Sequence, residues 1–133
     1  MSDRLTTLLL ARLRAMAERK QRFSYDVRGH AYVNSGMVAT YGLEGRKGEP
    51  ADLATVLQHA LAHDAIVSGV KDPISGKTRF TSDRLFSDTG NAVRFARMER
   101  QATVYNWNRE EEIPVDGSQD TGTTSPAVEV SER

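Results

Sequence analysis

Leu5, Leu8, Leu9, Leu13 and Met16 recur at helical spacing, which predicts a helix over residues 2–22 with one apolar stripe. The period then changes. Phe23, Tyr25 and Val27 alternate with polar residues, which predicts a strand, a turn at Gly29 and a return over 31–33. Gly36 precedes a further strand, read over 37–43. Gly42, Gly45 and Gly48 mark a loop. Leu53, Val56, Leu57, Ala60 and Leu61 form the cleanest amphipathic stripe in the chain, which predicts a helix over 50–63 with Pro50 in its first turn.

The stretch from Ala65 to Trp107 reads as strand, tight turn, strand, capped helix, strand. Ile66, Val67 and Val70 favour extended backbone. Asp72 and Pro73 open a turn that Gly76 closes. Residues 77–81 return as a strand with one wet face. Ser87, Asp88 or Thr89 caps a helix over 89–101, and 102–107 alternate as a last strand. Ile113 and Val115 flank Pro114 in a short segment that suits only an edge strand.

In order, 37–107 runs β-α-β-β-α-β, the ferredoxin-like or split-βαβ arrangement. The expected fold is α+β: an antiparallel sheet with two helices on one face, preceded by an amphipathic helix. Helix 2–22 and the strands of 23–33 are expected to cover the other face or an edge. Residues 1–115 make one domain of about the ordinary length. From Asp116 onward Gly, Ser, Thr, Asp and Gln dominate, so residues 116–133 read as a disordered acidic tail.

Charge changes this picture only locally. Eighteen basic and eighteen acidic residues cancel, so no global field favours nucleic acid or membrane. Residues 1–47, however, hold nine Lys and Arg against four Asp and Glu, and the tail holds one against four. The chain has no cysteine, which excludes disulfides and thiolate metal sites. The apolar run at Leu8–Leu10 is cut by Arg12 and is too short to span a membrane. A soluble, cytoplasmic protein is expected.

No complete catalytic or cofactor motif is present. Ser75-Gly76-Lys77-Thr78 matches the end of a phosphate loop, but Lys71 stands where the pattern needs glycine, so a hairpin turn is expected. Gly45, Arg46 and Lys47 lie in a glycine-rich basic loop before a helix N-terminus, which makes them candidate anion contacts. His59 and His63 have the spacing of a helical metal pair, but the third histidine, His30, is remote and Ala60 replaces the glutamate of the zinc-protease pattern. No metal or cofactor is implied. Asp88 reads as a cap and Asp83 as a loop residue.

Two basic sets remain: Arg12, Arg19 and Lys20 on the first helix, and Arg94, Arg97 and Arg100 on the last. Tyr105 and Trp107 share a strand face and are candidate contacts for a partner or for bases. An RNA-recognition domain would need aromatics on its central strands, here Tyr41 and Phe80, but the lysine-glycine-aromatic consensus is missing. The turn–strand–helix–strand run resembles small phage and mobile-element proteins in shape only. The expected function is a non-enzymatic module that binds another protein as a regulator or inhibitor, with a homodimer compatible. The alternative is a nucleic-acid binder using the two basic sets. The third is a binder or enzyme for a phosphorylated small molecule at 42–48.

Overall fold

The computed structural model describes residues 3–43 and 51–115. Helix α1, Asp3–Arg19, ends three residues before the expected boundary. The N–H of Lys20 still bonds to the Met16 carbonyl at 2.9 Å, and then Arg22 is drawn into strand pairing opposite Val70. Strand β1 is Arg22–Asp26. The Asp26 carboxylate accepts from the N–H groups of Arg28 and Gly29 at 3.0 and 2.9 Å, turning the chain into the two-residue strand β2, Ala31–Tyr32. Strand β3 is Met37–Thr40.

Helix α2, Leu53–Ala62, is capped by Asp52, which accepts from the Thr55 N–H at 2.8 Å. Strands β4, Ile66–Lys71, and β5, Thr78–Phe86, form a hairpin. Its turn is closed by bonds from the Ile74 N–H to the Asp72 side chain and from the Gly76 N–H to the Asp72 carbonyl, both 2.8 Å. Gly76 has a φ of 78°, the left-handed region where glycine carries no Cβ penalty. The GKT sequence is thus a hairpin turn and not the start of a helix. Helix α3, Thr89–Met98, is capped by Asp88 through the Asn91 N–H at 2.8 Å. Strands β6, Thr103–Asn106, and β7, Glu111–Pro114, are the last elements among the described residues.

All strand pairs are antiparallel, in the order β2-β1-β4-β5-β3-β6-β7. Alternation sorts each strand into two sets. Phe23, Tyr25, Val67 and Phe80 meet Leu13, Met16, Val56 and Leu57 of α1 and α2 in one apolar cluster. Met37, Ala39 and Val104 meet Ala92 and Ala96 of α3 in a second, smaller one. Helix α1 therefore packs with α2 and does not cover the opposite sheet face; of the two expected places, the strands of 23–33 take the edge, where β2 and β1 lie. The apolar stripe of α1 is continuous with the strand β1 that follows it, so both enter the same core.

The sheet is curled. Arg22 of β1 reaches Glu112 of β7 at 2.9 Å and lies 4.0 Å over the Tyr105 ring of β6. The Trp107 indole N–H donates to the Ser24 hydroxyl at 3.0 Å. These side chains join strands that are far apart in the sheet order.

Candidate ligand-binding site

The strand positions that alternate with the apolar set line an open cavity of about 400 Å³. Ser24, Thr40, Ser68, Thr81 and Asp83 form its floor. Val38, Val70 and Tyr105 supply walls, and Arg22, Asp72, Lys77, Arg79 and Glu112 a charged rim. Register brings the floor together: Ser24 stands opposite Ser68, Ser68 opposite Thr81, and Thr40 opposite Asp83.

Asp83 is the centre of a hydrogen-bonded network. One carboxylate oxygen accepts from the hydroxyls of Thr40 and Thr81, each at 2.9 Å, and the other from Ser68 at 2.5 Å. The Ser68 and Ser24 hydroxyls are 2.6 Å apart, and Ser24 also receives the Trp107 N–H. Asp83 is 2% exposed. Burial pushes its carboxyl above the usual carboxylate range, against the pull of the three hydroxyl donors and the Arg22 charge. Among the described residues no basic side chain lies within 4.0 Å of it. A buried carboxylate held by hydroxyls alone is uncommon, because burial of a charge normally demands a paired one.

A second polar cluster lies on the helix-packed side. The rings of His59 and His63 stack 3.9 Å apart at 9°, and Tyr41 contacts both and also Phe95. His59 Nδ1 bonds to Ser82 at 2.8 Å, and His63 Nδ1 bonds to the His59 carbonyl at 2.8 Å. The Tyr41 hydroxyl donates to Asp64, and burial together with that carboxylate raises its pKa to about 12. Burial, then the neighbouring His63, lowers the pKa of His59. No group of three metal-ligating side chains occurs among the described residues.

The residues singled out from sequence fall in several places. Arg12 reaches the Tyr25 hydroxyl at 3.5 Å, and Lys20 lies 4.8 Å from the Tyr32 ring centroid. Arg19 is in the last turn of α1. Arg94 bonds to Asn91 at 2.6 Å and Arg97 to the Val115 carbonyl at 3.0 Å, while Arg100 follows α3 with a φ of 60°. The first set belongs to the helix packed near β1, the second to the helix packed near β3 and β6. Tyr105 and Trp107 form an edge-to-face pair, 4.8 Å between centroids, and both are engaged with β1 through Arg22 and Ser24. Tyr41 and Phe80 pack on the helix side, so neither offers a free stacking surface. Gly45, Arg46 and Lys47 lie outside the described residues, as does the tail 116–133.

Sequence reasoning missed the floor. Asp83 is not a loop residue: β5 runs on past Thr81 to Phe86, and Asp83 pairs with Thr40 and Ile66. The available signal was a polar residue inside two of the strands read from sequence, Ser24 and Ser68; Asp83 lies beyond residue 81, where the third was read to end. No helix among the described residues is long and apolar enough to cross a membrane. Comparison with protein-family models, with curated proteins and with solved structures finds no match for this chain.

Proposed function

We propose that the chain is a small-molecule-binding protein that takes a polar ligand in the cup of its curled sheet. The carrying observation is the buried Asp83 network beneath a 400 Å³ opening. A fold of this size could fill that face with apolar side chains at lower cost than a desolvated carboxylate. Small-ligand sites combine this range of volume with a few convergent polar groups. In this reading the inner strands β4-β5-β3-β6, linked through α2 and α3, are a ferredoxin-like core with its helices on the outer face. That arrangement leaves the inner face open for the ligand.

The test is a screen of small polar compounds followed by amide chemical shifts. Shifts clustered at residues 24, 40, 68, 81 and 83 are expected. Shifts confined to the helix side, or none, would overturn the reading. Docking of another protein is the second reading, favoured by Leu5 and Leu8, neighbours on one face of α1 that are 45% and 61% exposed. Leu8→Glu would weaken such a complex and leave ligand binding in the cup unchanged.

A further inference from the structure

Resting on that reading, we propose that the ligand is an organic ammonium ion carrying an anionic group several bonds away, with the ammonium on the cup floor and the anion at the rim.

The direction of the hydrogen bonds carries this. In its ionised form, the one a cationic ligand would favour, Asp83 only accepts, so Thr40, Thr81 and Ser68 each donate their single hydroxyl hydrogen to it. With the Ser68 hydrogen committed, Ser24 must be the donor in the bond between the two serines. The Ser24 hydrogen is then committed too, and Trp107 Nε1, which can only donate, gives its own to Ser24. Every hydrogen of the network is directed towards Asp83. The floor therefore offers the cavity oxygen lone pairs with a negative charge beneath them. An anion is repelled there, and a neutral acceptor finds no donor. An ammonium group supplies several donors and the missing positive charge.

Arg22 supplies that charge only in part and from a distance. It is held away by Glu112 at 2.9 Å and by the Tyr105 ring. The rim has the opposite character. Lys77 and Arg79 form no ion pair among the described residues, whereas Glu112 is bound to Arg22 and the Asp72 carboxylate accepts the Ile74 N–H in its turn. Thr81 and Arg79 lie two residues apart on one face of β5, roughly 7 Å along the strand. That spacing suits an ω-amino acid and not an α-amino acid, whose two charges are adjacent.

The experiment titrates the full chain with 5-aminopentanoate, pentanoate, pentylamine and N-acetyl-5-aminopentanoate, by calorimetry and by amide shifts. 5-Aminopentanoate is expected to bind at least tenfold tighter than each of the others and to shift Thr40, Ser68 and Asp83. Arg79→Glu, at an exposed position, should reduce 5-aminopentanoate to the affinity of pentylamine without weakening pentylamine. Asp83→Asn should abolish the preference for the amine. If that variant fails to fold, the ligand series and Arg79→Glu still decide. Pentanoate or the acetylated compound binding in the cup as well as the amine would overturn the ammonium assignment and leave a binding cup. Failure of all four, with a different compound class from the screen shifting the floor, would do the same. No shifts at the floor from any compound would remove both.

Discussion

The two faces of the sheet are held by different forces. On the helix side Leu13, Phe23, Val56, Leu57 and Val67 are each no more than 2% exposed, and stability there comes from apolar area and close packing. On the cup side the equally buried Ser24 and Asp83 are held by directed hydrogen bonds around a charge. The strand β5 shows both in adjacent residues. Ser82 faces His59 of α2, and Asp83 faces Thr40, Thr81 and Ser68 of the sheet. A packed face needs no chemistry to explain it. A desolvated acid at the base of an opening does.

The largest effect expected is on the packed side. Leu57→Asp places an unpaired carboxylate at a site 1% exposed. Its cost of several kcal/mol is comparable to the whole stability of a small domain, so the variant should be unfolded by circular dichroism. A cooperative thermal transition at the wild-type temperature would show that burial of the acid at 57 is tolerated as it is at 83, and the contrast between the faces would fail.

Gly69→Ala probes the same side more gently. A Cβ at Gly69 would lie 2.5 and 2.8 Å from the Phe23 ring carbons, closer than any real contact. Phe23 is 2% exposed and cannot swing into solvent without vacating the core. Overpacking of this kind costs about 1–3 kcal/mol, read as a lower urea midpoint with an unchanged slope. An unchanged midpoint would mean that the ring has room to move.

Much of this architecture was legible in the sequence, and the reason is periodicity. The Leu53–Leu61 stripe, the Asp72–Gly76 turn and the Asp88 cap are local signals, and each was realised where it was read. The cup was not legible because it is assembled by register. Ser24, Ser68 and Asp83 are isolated polar residues until β4 is known to lie between β1 and β5. Tyr105 and Trp107 were visible as a pair on one strand face, but their engagement with β1 depends on the curl of the whole sheet.

The two faces should also respond to pH with opposite sign. The folded-state pKa of Asp83 is raised, so its contribution is fully present below 3.8 and is lost as pH rises through the folded value. The pKa of His59 is lowered, so its contribution is present above 6.5 and is lost as pH falls through the folded value. Urea unfolding across pH 3.5–8 should show wild type losing ground to Asp83→Asn as pH rises. His59→Gln should remove part of the loss on the acid side. Parallel curves for wild type and Asp83→Asn would mean that the carboxyl titrates alike in the folded and unfolded chains.

The smallest effect expected on stability concerns the seam. Arg22 and Glu112 join the two ends of the curled sheet, but the Glu112 side chain is 54% exposed and that of Arg22 26%. Exposed ion pairs are worth about 0–1 kcal/mol, because solvent screens them and two long side chains must be ordered. Glu112→Gln keeps the length of the side chain and a hydrogen-bond acceptor, so its urea midpoint should move by less than that amount. Its effect should appear in local opening. With the pair weakened, Arg22 is held over the cup only by the Tyr105 ring, and the Trp107–Ser24 bond becomes the remaining polar tie between β1 and the segment after β6. Amide exchange on β6 and β7 should quicken while exchange at Val56 and Leu57 on α2 stays unchanged, because local and global opening are separable. Equal acceleration at both places would make the seam part of the global fold. No acceleration at either would leave Trp107 and the covalent hairpin of β6 and β7 as sufficient closure.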